Sequence, residues 1–298
     1  MNKRGRLRIA VGIATFGRPQ IAAAAVAEYA HQSRLPDAIF VCAPFKASIE
    51  GLAADAATLR IILGPHGLCA QRNAIIANVL DYDVLFFADD DFLPRSDYLE
   101  ILEDIFASFP DVVMTTGSLI ADGILGPGLP IDEARALIAG DAVAKHRNHL
   151  LLEDVHNGYG CNMAVRVDVL RDFAIRFDEN LPLYGWLEDV DFSRRLSRHG
   201  RIVRARDTRG VHLGAKTGRQ TGRRLGYSQL ANPLYLARKG SFPWWMALRQ
   251  ISRNVAANCW RALHPEPYID RRGRVHGNAI ALMHLATARL HPRRVLDL

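Results

Sequence analysis

The chain has 298 residues, of which 49% are hydrophobic and 23% are charged. Its length suits one large domain or one domain with an appendage, and this composition can supply a sizeable core. No apolar run reaches the roughly 18 residues that a membrane span needs, and the first apolar stretch is typical of a core strand rather than a signal peptide. The four scattered cysteines fit a reducing compartment and argue against a disulfide framework or a zinc site, so we expect a cytoplasmic protein.

The net charge of +7 hides an asymmetry along the chain. Residues 1–192 contain 16 basic and 27 acidic side chains, whereas residues 193–298 contain 22 basic and 4 acidic ones. The last third therefore presents a basic surface, which suits an anionic partner such as phosphate groups, a membrane or a nucleic acid.

The first half of the chain alternates predicted strands with predicted helices. Apolar runs predict buried strands at residues 7–15, 38–43, 59–63 and 83–88. An Ala-rich helix is expected from Pro19 to about His31, and Gly67 opens a second helix. This alternation predicts an α/β fold with a mostly parallel central sheet flanked by helices, in which ligands bind beyond the carboxyl ends of the strands.

The second half has a less regular pattern. Strands are predicted at residues 112–116, 161–165 and 201–206, and helices at residues 130–144 and 187–199. Gly123 to Pro130 is a predicted loop because it is rich in Gly and Pro. Gly214 to Gly226, which is rich in Gly and basic residues, is predicted to be a mobile basic loop.

The tail from about Gly240 has a helical repeat of apolar residues. The repeating positions are Trp244, Leu248, Ile251, Val255 and Cys259, and arginines 249, 253 and 261 lie beside or opposite them. This pattern is typical of a basic amphipathic helix in a membrane interface. A helix that packs on its own domain would show the same repeat, so both interpretations stay open.

Three aspartates, Asp89 to Asp91, follow the predicted strand at residues 83–88. Carboxylates at the end of an apolar strand are costly unless a cation compensates them, and positions i and i+2 of an extended segment face the same way. Asp89 and Asp91 can therefore face one site and hold Mg²⁺ or Mn²⁺, which prefer oxygen ligands. The alternative is a solvated acidic turn in which Asp91 caps the next helix.

Two other segments carry candidate reactive groups. Glu188 and Asp189 lie at the start of a predicted helix, where the helix dipole favours ionised carboxylates that can accept a proton from an attacking hydroxyl. Charge compensation at a helix start would favour the same residues. His212 follows a predicted strand and is a candidate metal ligand, although a lone histidine is more often structural.

Basic side chains supply candidate anion contacts. Arg72 lies near the amino end of the predicted helix after the third strand, where backbone amides and a guanidinium can bind an anion. The basic loop after His212 can close over a diphosphate, contact lipid or stay solvated, and its cations are Lys216, Arg219, Arg223 and Arg224.

Taken in order, these segments resemble the inverting glycosyltransferases of family 2, which have the GT-A fold. The resemblance covers about residues 7–240. The matching segments are Thr15 to Arg18 for Thr-[Tyr/Phe]-Asn-Arg, Gly67 to Asn73 for Gly-x-x-x-Ala-Arg-Asn, Asp89 to Asp91 for Asp-x-Asp, Gly160 to Arg166 for Gly-x-Asn-x-Ala-x-Arg, Glu188-Asp189 with Arg194-Arg195, His212, and Tyr235 to Lys239 for Tyr-x-x-Arg-Asn with Lys in place of Asn.

The resemblance implies a GT-A domain over residues 1–240, followed by a basic amphipathic helical tail over residues 241–298. It implies transfer of a sugar, with inversion, from a nucleotide-diphosphate donor to a hydroxyl of a glycan or lipid-linked acceptor at a Mn²⁺ or Mg²⁺ centre. The basic tail adds cell-surface polysaccharide synthesis at the inner membrane leaflet as an expectation. The implied roles are Asp189 as general base, Trp186 and Glu188 in the acceptor site, Asp89, Asp91 and His212 as metal ligands, and Thr15, Arg18, Arg72, Asp89, Asp90, Arg219 and Arg223 as donor contacts.

One segment departs from the family pattern. After the second strand the family usually has an acidic segment that contacts the nucleotide base, but Val41 to Phe45 contains no carboxylate. The donor is therefore something other than a uridine nucleotide, or the contact to the base comes from elsewhere.

Three other functions fit part of the pattern. A sugar-1-phosphate nucleotidyltransferase usually has a Gly-rich phosphate loop after its first strand, whereas Thr15 to Pro19 contains a single Gly. A non-catalytic, membrane-associated scaffold agrees with the missing base contact but not with the full set of metal and base candidates. A nucleic-acid binder agrees with the basic last third, yet no recognised binding motif is present, so we expect no nucleic-acid partner.

Overall fold

The computed structural model describes residues 6–52, 58–141, 150–217 and 221–298. The chain divides into two compact units. The sheet unit comprises Met1–His66, Gln71–Arg176 and Arg195–Gly218, and the helical unit comprises Gly67–Ala70, Phe177–Arg194 and Arg219–Leu298.

The strands that the structure describes all belong to one sheet in the sheet unit. Their bounds are β1 Ile9–Ala14, β2 Ala38–Ala43, β3 Leu59–Leu63, β4 Val84–Asp89, β5 Phe92–Pro94, β6 Val112–Asp122, β7 Leu152–Asp154, β8 Asn162–Arg166 and β9 Arg201–His212. Neighbouring strands follow the order β3-β2-β1-β4-β8-β6-β9-β5, and β7 also pairs with β9. The first four strands run parallel as predicted, while β8 runs antiparallel to both β4 and β6 and makes the sheet mixed.

The described residues form nine α-helices. Their bounds are α1 Pro19–Ala27, α2 Leu68–Ala77, α3 Tyr98–Ser108, α4 Ile131–Gly140, α5 Val167–Asp172, α6 Glu188–Leu196, α7 Gly222–Lys239, α8 Trp244–Arg261 and α9 Arg271–Ala286. A 3₁₀ turn, Glu28–His31, continues α1 to the residue where the sequence predicts its end. The α/β fold with a C-terminal helical extension is therefore confirmed.

The order of the parallel strands sets where a ligand can bind. β1 lies between β2 and β4, and Ala14 at the end of β1 is paired with Asp89 at the end of β4. Because β2 and β3 lie to one side of β1 and β4 to the other, the chain reverses direction across the sheet at this point. Crevices at such topological switch points, outside the carboxyl ends of the strands, are where open α/β sheets bind ligands.

Apolar packing fixes these strands firmly. β1 and β4 are buried along almost their whole length, and aromatic rings pack beside β4, where Phe86 stacks on Tyr98 at 4.8 Å and meets Phe92 edge-on at 6.2 Å. Pairs of this kind contribute about 0.5–1.5 kcal/mol each beyond the area they bury. The carboxylates that follow β4 are thus attached to a rigid element.

The predicted basic loop at Gly214 to Gly226 is shorter than expected, because α7 begins at Gly222. Thr221 caps this helix by accepting a hydrogen bond from the amide of Arg224. Two of its glycines, Gly222 and Gly226, are packing residues in this helix: a Cβ at Gly222 would lie 2.3 Å from the carbonyl oxygen of Asp270, and one at Gly226 would lie 2.1 Å from that of Arg274. Residues 218–220 lie outside the described part of the chain.

A buried polar network joins the three long helices of the helical unit. The amide of Asn258 on α8 donates to Gln229 on α7 at 2.7 Å and to Asn278 on α9 at 3.0 Å. Asn278 in turn donates to the carbonyl of Gly226 at 2.6 Å. Burying a polar group without a hydrogen-bond partner costs free energy. This network therefore fixes the positions of α7, α8 and α9 relative to one another.

Helix α8 has two contrasting faces, and they do not follow the predicted stripe. Ile251 and Val255 pack on the apolar cluster around Tyr227 within the helical unit, and Ala247 is fully buried. A second set of side chains, all of them exposed, lies beside this inward-packing side, because a helix turns about 100° per residue. This set, here called the outer face of α8, is Trp244, Trp245, Leu248, Ser252, Ala256, Cys259 and Trp260.

Two of the five stripe residues, Ile251 and Val255, therefore pack inward, while Trp244, Leu248 and Cys259 are exposed. No helix among the described residues combines the length and the apolar character that crossing a bilayer requires.

Candidate functional site

Three candidate metal ligands meet at the carboxyl end of β4. Asp89 is the last residue of β4, Asp91 lies in the turn to β5, and His212 is the last residue of β9. The pairing of β5 with β9 sets Phe92 opposite His212 and so brings the imidazole to the aspartates. One ligand atom from each of these three side chains lies within 4.8 Å of the others.

The environment of Asp91 fits a divalent cation. Its side chain is buried, and its Oδ1 atom accepts no hydrogen bond of ordinary geometry from any residue that the structure describes. Nε2 of His212 lies 3.4 Å from this atom. Two carboxylates and one imidazole are a ligand set that Mn²⁺ or Mg²⁺ accepts, with the remaining positions left for water or phosphate oxygens.

The backbone also holds Asp91 in place. Its Oδ2 atom accepts a hydrogen bond from the amide of Ala215 at 2.8 Å, and its carbonyl accepts one from the amide of Leu213 at 2.9 Å. The alternative in which Asp91 caps the next helix is wrong, because α3 begins only at Tyr98, after Asp97.

Asp122, at the end of β6, orients the histidine ligand and was not among the residues singled out from the sequence. Its Oδ1 atom lies 2.8 Å from Nδ1 of His212, and its Oδ2 atom accepts a hydrogen bond from the hydroxyl of Tyr159 at 3.1 Å. His212 and Tyr159 hold the pKa of Asp122 below its usual range although burial opposes ionisation. An ionised carboxylate only accepts, so the Nδ1 proton points to Asp122 and Nε2 faces Asp91, the arrangement usual for metal-binding histidines.

Without a metal, this arrangement favours a protonated histidine. Burial alone would lower the pKa of His212, but its contacts with Asp122 and Asp91 raise it to about 10. Burial likewise opposes ionisation of Asp91, yet His212, Arg18 and the amide of Ala215 hold its pKa below the usual range. The folded-state pKa of His212 exceeds its unfolded value of about 6.5, so the stabilisation is complete below that value and is lost as pH rises through about 10.

We expect metal affinity to rise with pH, because a metal at Nε2 of His212 displaces one proton. Affinity should increase by about tenfold per pH unit below pH 10, or about thirtyfold between pH 6.5 and 8.0. Calorimetric titration of Mn²⁺ in buffers of different ionisation enthalpy measures both the affinity and the proton released. In His212→Gln the affinity should fall and its pH dependence should flatten, whereas equal affinities at both pH values in the unmodified protein would contradict the prediction.

Arg18 and Thr15, at the end of β1, are bound to Asp90. The guanidinium of Arg18 lies 2.5 Å from Oδ1 of Asp90 and 3.2 Å from Oδ2 of Asp91, and the hydroxyl of Thr15 donates to Oδ2 of Asp90 at 2.6 Å. Burial raises the pKa of Asp90 to about 6 despite the nearby Arg18. The middle aspartate thus joins β1 to β4, and Arg18 offsets the negative charge next to the candidate metal ligands.

Arg72 on α2 supports the third aspartate. Its buried guanidinium donates to Oδ1 of Asp89 at 3.0 Å and to the carbonyl of Gly160 at 2.7 Å, and it lies over the ring of Phe87. The structure therefore places Arg72 on a candidate metal ligand. Its proposed contact with the donor remains a prediction.

An aromatic cluster lies beyond the ends of the first three strands. Phe16 follows β1, Phe45 follows β2 and His66 follows β3. The ring centroids of Phe16 and His66 are 4.4 Å apart, those of Phe16 and Phe45 are 6.4 Å apart, and all three residues are exposed. Phe45 lies in the segment after β2, where the family that the sequence resembles has an acidic contact to the nucleotide base.

A cavity of about 680 Å³ opens beside the candidate metal ligands. Tyr159, whose ring centroid is 6.0 Å from that of His212, is part of its lining. Its other polar side chains are those of Thr116, Ser118, His156, Asn157 and Arg204. This volume is large enough for a small polar ligand such as a sugar.

No family model matches this chain, and no curated protein matches it either. Solved structures do match. GalNAc-T7 with UDP, GalNAc and Mn²⁺ aligns with a TM-score of 0.57 at 12% identity, over 99% of this chain and 57% of that one. PcManGT, a mannosyltransferase from Pyrobaculum calidifontis in complex with GDP-Man and Mn²⁺, aligns with 0.54 at 13% identity, over 98% and 86%.

A third match is S. aureus TarS 1–349, with a TM-score of 0.53 at 14% identity, over 78% of this chain and 66% of that one. The fold is that of the GT-A glycosyltransferases. The chain spans slightly less than two thirds of the TarS fragment and little more than half of GalNAc-T7.

In this GT-A chain, the proposed acceptor residues belong to the helical unit. Glu188 and Asp189 form the first turn of α6, and Oδ1 of Asp189 accepts a hydrogen bond from the amide of Val190 at 2.8 Å. The carbonyl of Trp186 accepts a hydrogen bond from Asn232 at 2.8 Å.

The backbone before α6 is strained. Leu183 has φ +59° and Leu187 has φ +73°, values that bulky side chains rarely adopt. Strain of this kind costs about 1–3 kcal/mol per residue and clusters at functional sites. It supports a functional interpretation of Glu188 and Asp189.

Lys239 is one departure from the pattern of the family that the sequence resembles. This residue replaces the Asn of the Tyr-x-x-Arg-Asn segment, and its ammonium lies 2.9 Å from a carboxylate oxygen of Asp191 and 2.6 Å from one of Asp178. Tyr235 of the same segment donates to Asp178 at 2.9 Å. Asp191 is fully buried on α6, so Lys239 compensates a charge on the helix that carries Asp189.

The two basic residues proposed for the donor diphosphate are placed differently. Arg219 lies outside the described residues. Arg223 is exposed in the first turn of α7, in the helical unit, instead of in a loop. Its predicted contact with the donor stays a prediction.

Proposed function

We propose that this protein is a glycosyltransferase that transfers a sugar from a nucleotide-diphosphate donor to a hydroxyl group. The observation that carries the proposal is the convergence of Asp89, Asp91 and His212 at the carboxyl end of β4, beside the switch point of a GT-A fold. GT-A structures with the same fold bind UDP or GDP-Man together with Mn²⁺. The family 2 resemblance adds inversion at the anomeric carbon.

Asp89, Asp91 and His212 would hold Mn²⁺ or Mg²⁺. A cation bound there supplies positive charge to the departing diphosphate. Asp122 fixes the tautomer of His212, and Arg18 keeps Asp91 ionised. The remaining proposed donor contacts are Thr15, Arg72, Asp90, Arg219 and Arg223.

The aromatic cluster of Phe16, Phe45 and His66 would receive the nucleotide base. Every base has a flat π-face, and stacking on an aromatic ring contributes about 1–3 kcal/mol per base. A stacked base needs no carboxylate partner, which accounts for the neutral segment Val41 to Phe45.

Asp189 would act as general base on the acceptor hydroxyl, with Glu188 and Trp186 in the acceptor site. The ionised form that this role needs is favoured at the amino end of α6. We propose a glycan or lipid-linked acceptor at the inner membrane leaflet, in cell-surface polysaccharide synthesis, because the C-terminal residues are strongly basic.

Thermal unfolding with a panel of nucleoside diphosphates, with and without Mn²⁺, tests the function. One nucleotide at about a hundred times its Kd should raise the Tm by about 5 °C, and only when Mn²⁺ is present. Asp91→Asn should abolish this shift, and circular dichroism of the ligand-free variant checks that it folds.

Phe45→Ser tests the base site against Phe173→Ser, because the two side chains are similarly exposed, at 58% and 56%. The first substitution should weaken nucleotide binding by about tenfold or more, and the second should leave it unchanged. A shift that persists in Asp91→Asn would contradict the metal site. Absence of a shift with every nucleotide would favour a non-catalytic scaffold.

A further inference from the structure

The outer face of α8 exposes large aromatic side chains to solvent. Trp245 is 60% exposed, Leu248 is 55% exposed and Trp260 is 78% exposed. Single exposed apolar residues are ordinary, but several tryptophans on the same face of one helix form a patch, and such patches mark contact sites.

The charged side chains of α8 beside this patch are all positive. Helix α8 contains no acidic residue, and Arg249 and Arg253 are exposed along the edge of the outer face. Among the described residues, no ion pair of either arginine is found. Residues 241–298 as a whole contain nine arginines and three acidic residues, so the field around the patch is positive.

These two properties together suit a lipid interface. Indole rings prefer the boundary between headgroups and acyl chains, because one edge is apolar and the N–H can be hydrated. Arginine stems lie along the apolar boundary while the guanidinium reaches the phosphates. An amphipathic helix with this composition lies in the plane of the membrane.

We propose that the outer face of α8, with Arg249 and Arg253, docks in the interface of a bilayer that contains anionic phospholipids. A second copy of the chain is a poorer partner, because a two-fold interface centred on this face would bring arginines of like charge together. The face belongs entirely to the helical unit, and the proposal does not depend on the catalytic one.

Co-sedimentation of the full-length protein with phosphatidylcholine vesicles, with and without phosphatidylglycerol, tests this proposal. The protein should bind the anionic vesicles and lose most of this binding at high salt. The triple variant Trp245→Gln, Leu248→Gln, Trp260→Gln should bind at least about tenfold more weakly. Arg249→Gln with Arg253→Gln should lower binding by about thirtyfold in anionic vesicles only, since each of the two surface arginines is worth about 1 kcal/mol.

Leu125→Gln is the matched control, because this leucine is 85% exposed in the sheet unit and should not affect sedimentation. Unchanged binding of the triple variant would overturn the proposal. So would a dimer in solution that becomes monomeric in the triple variant, since a second copy would then cover the face. Asp91→Asn should bind vesicles normally, which separates failure of this proposal from failure of the catalytic one.

Discussion

Asp189→Asn is expected to lower the rate of sugar transfer by about 10²–10⁴-fold while leaving donor affinity unchanged. The substitution keeps the size of the side chain and the oxygen that accepts the amide of Val190 at 2.8 Å, but it removes the group that accepts a proton. Release of nucleoside diphosphate at saturating donor measures the rate, and the thermal shift with Mn²⁺ measures donor binding.

Asp168→Asn is a matched control for this experiment. Asp168 lies in the first turn of α5, and its Oδ1 atom accepts a hydrogen bond from the amide of Val169 at 2.7 Å. Asp189 makes the same kind of contact with the amide of Val190. Its substitution should leave the rate unchanged. Full transfer activity in Asp189→Asn would contradict the assignment of the base and direct attention to Glu188.

Lys239→Met is expected to lower the free energy of unfolding by about 3 kcal/mol. The substitution keeps much of the apolar stem of this partly exposed lysine but removes the ammonium beside the fully buried Asp191, and a buried charged group that loses a hydrogen-bond partner costs about 1–3 kcal/mol or more. Urea unfolding at neutral pH measures the loss.

Two further variants separate charge from packing. Arg238→Met changes the exposed neighbour of Lys239 and should cost less than about 0.5 kcal/mol. Adding Asp191→Asn to Lys239→Met should recover part of the lost stability, because the buried side chain at position 191 then carries no charge. If the double variant is no more stable than Lys239→Met alone, charge compensation is not what Lys239 provides.

Local sequence patterns predict most of the sheet and the positions of its carboxylates. The bounds of β2 and β3 agree with the prediction, since a short apolar run between polar turns has few other interpretations. The meeting of Asp89 with Asp91 also follows from local geometry, because the two residues are adjacent to one rigid strand.

Contacts between residues that are far apart in the sequence cannot be predicted from local patterns. Asp122 reaches His212 across 90 positions of sequence, and no short-range pattern marks such a pair. The aromatic cluster is assembled from the ends of three different strands. Gly222 and Gly226 lie in a segment whose composition is typical of a loop. Only the close approach of Asp270 and Arg274 shows why these two positions of α7 have no side chain.

Cys259 gives the outer face of α8 a property that the rest of the molecule lacks. The other three cysteines, Cys42, Cys69 and Cys161, are buried, whereas Cys259 is exposed. Thiol reagents modify accessible cysteines selectively, so a polarity-sensitive maleimide dye should attach at this one position of the unaltered protein. The natural sequence thereby carries its own site for a fluorescent label, placed where a change from water to lipid would alter the emission.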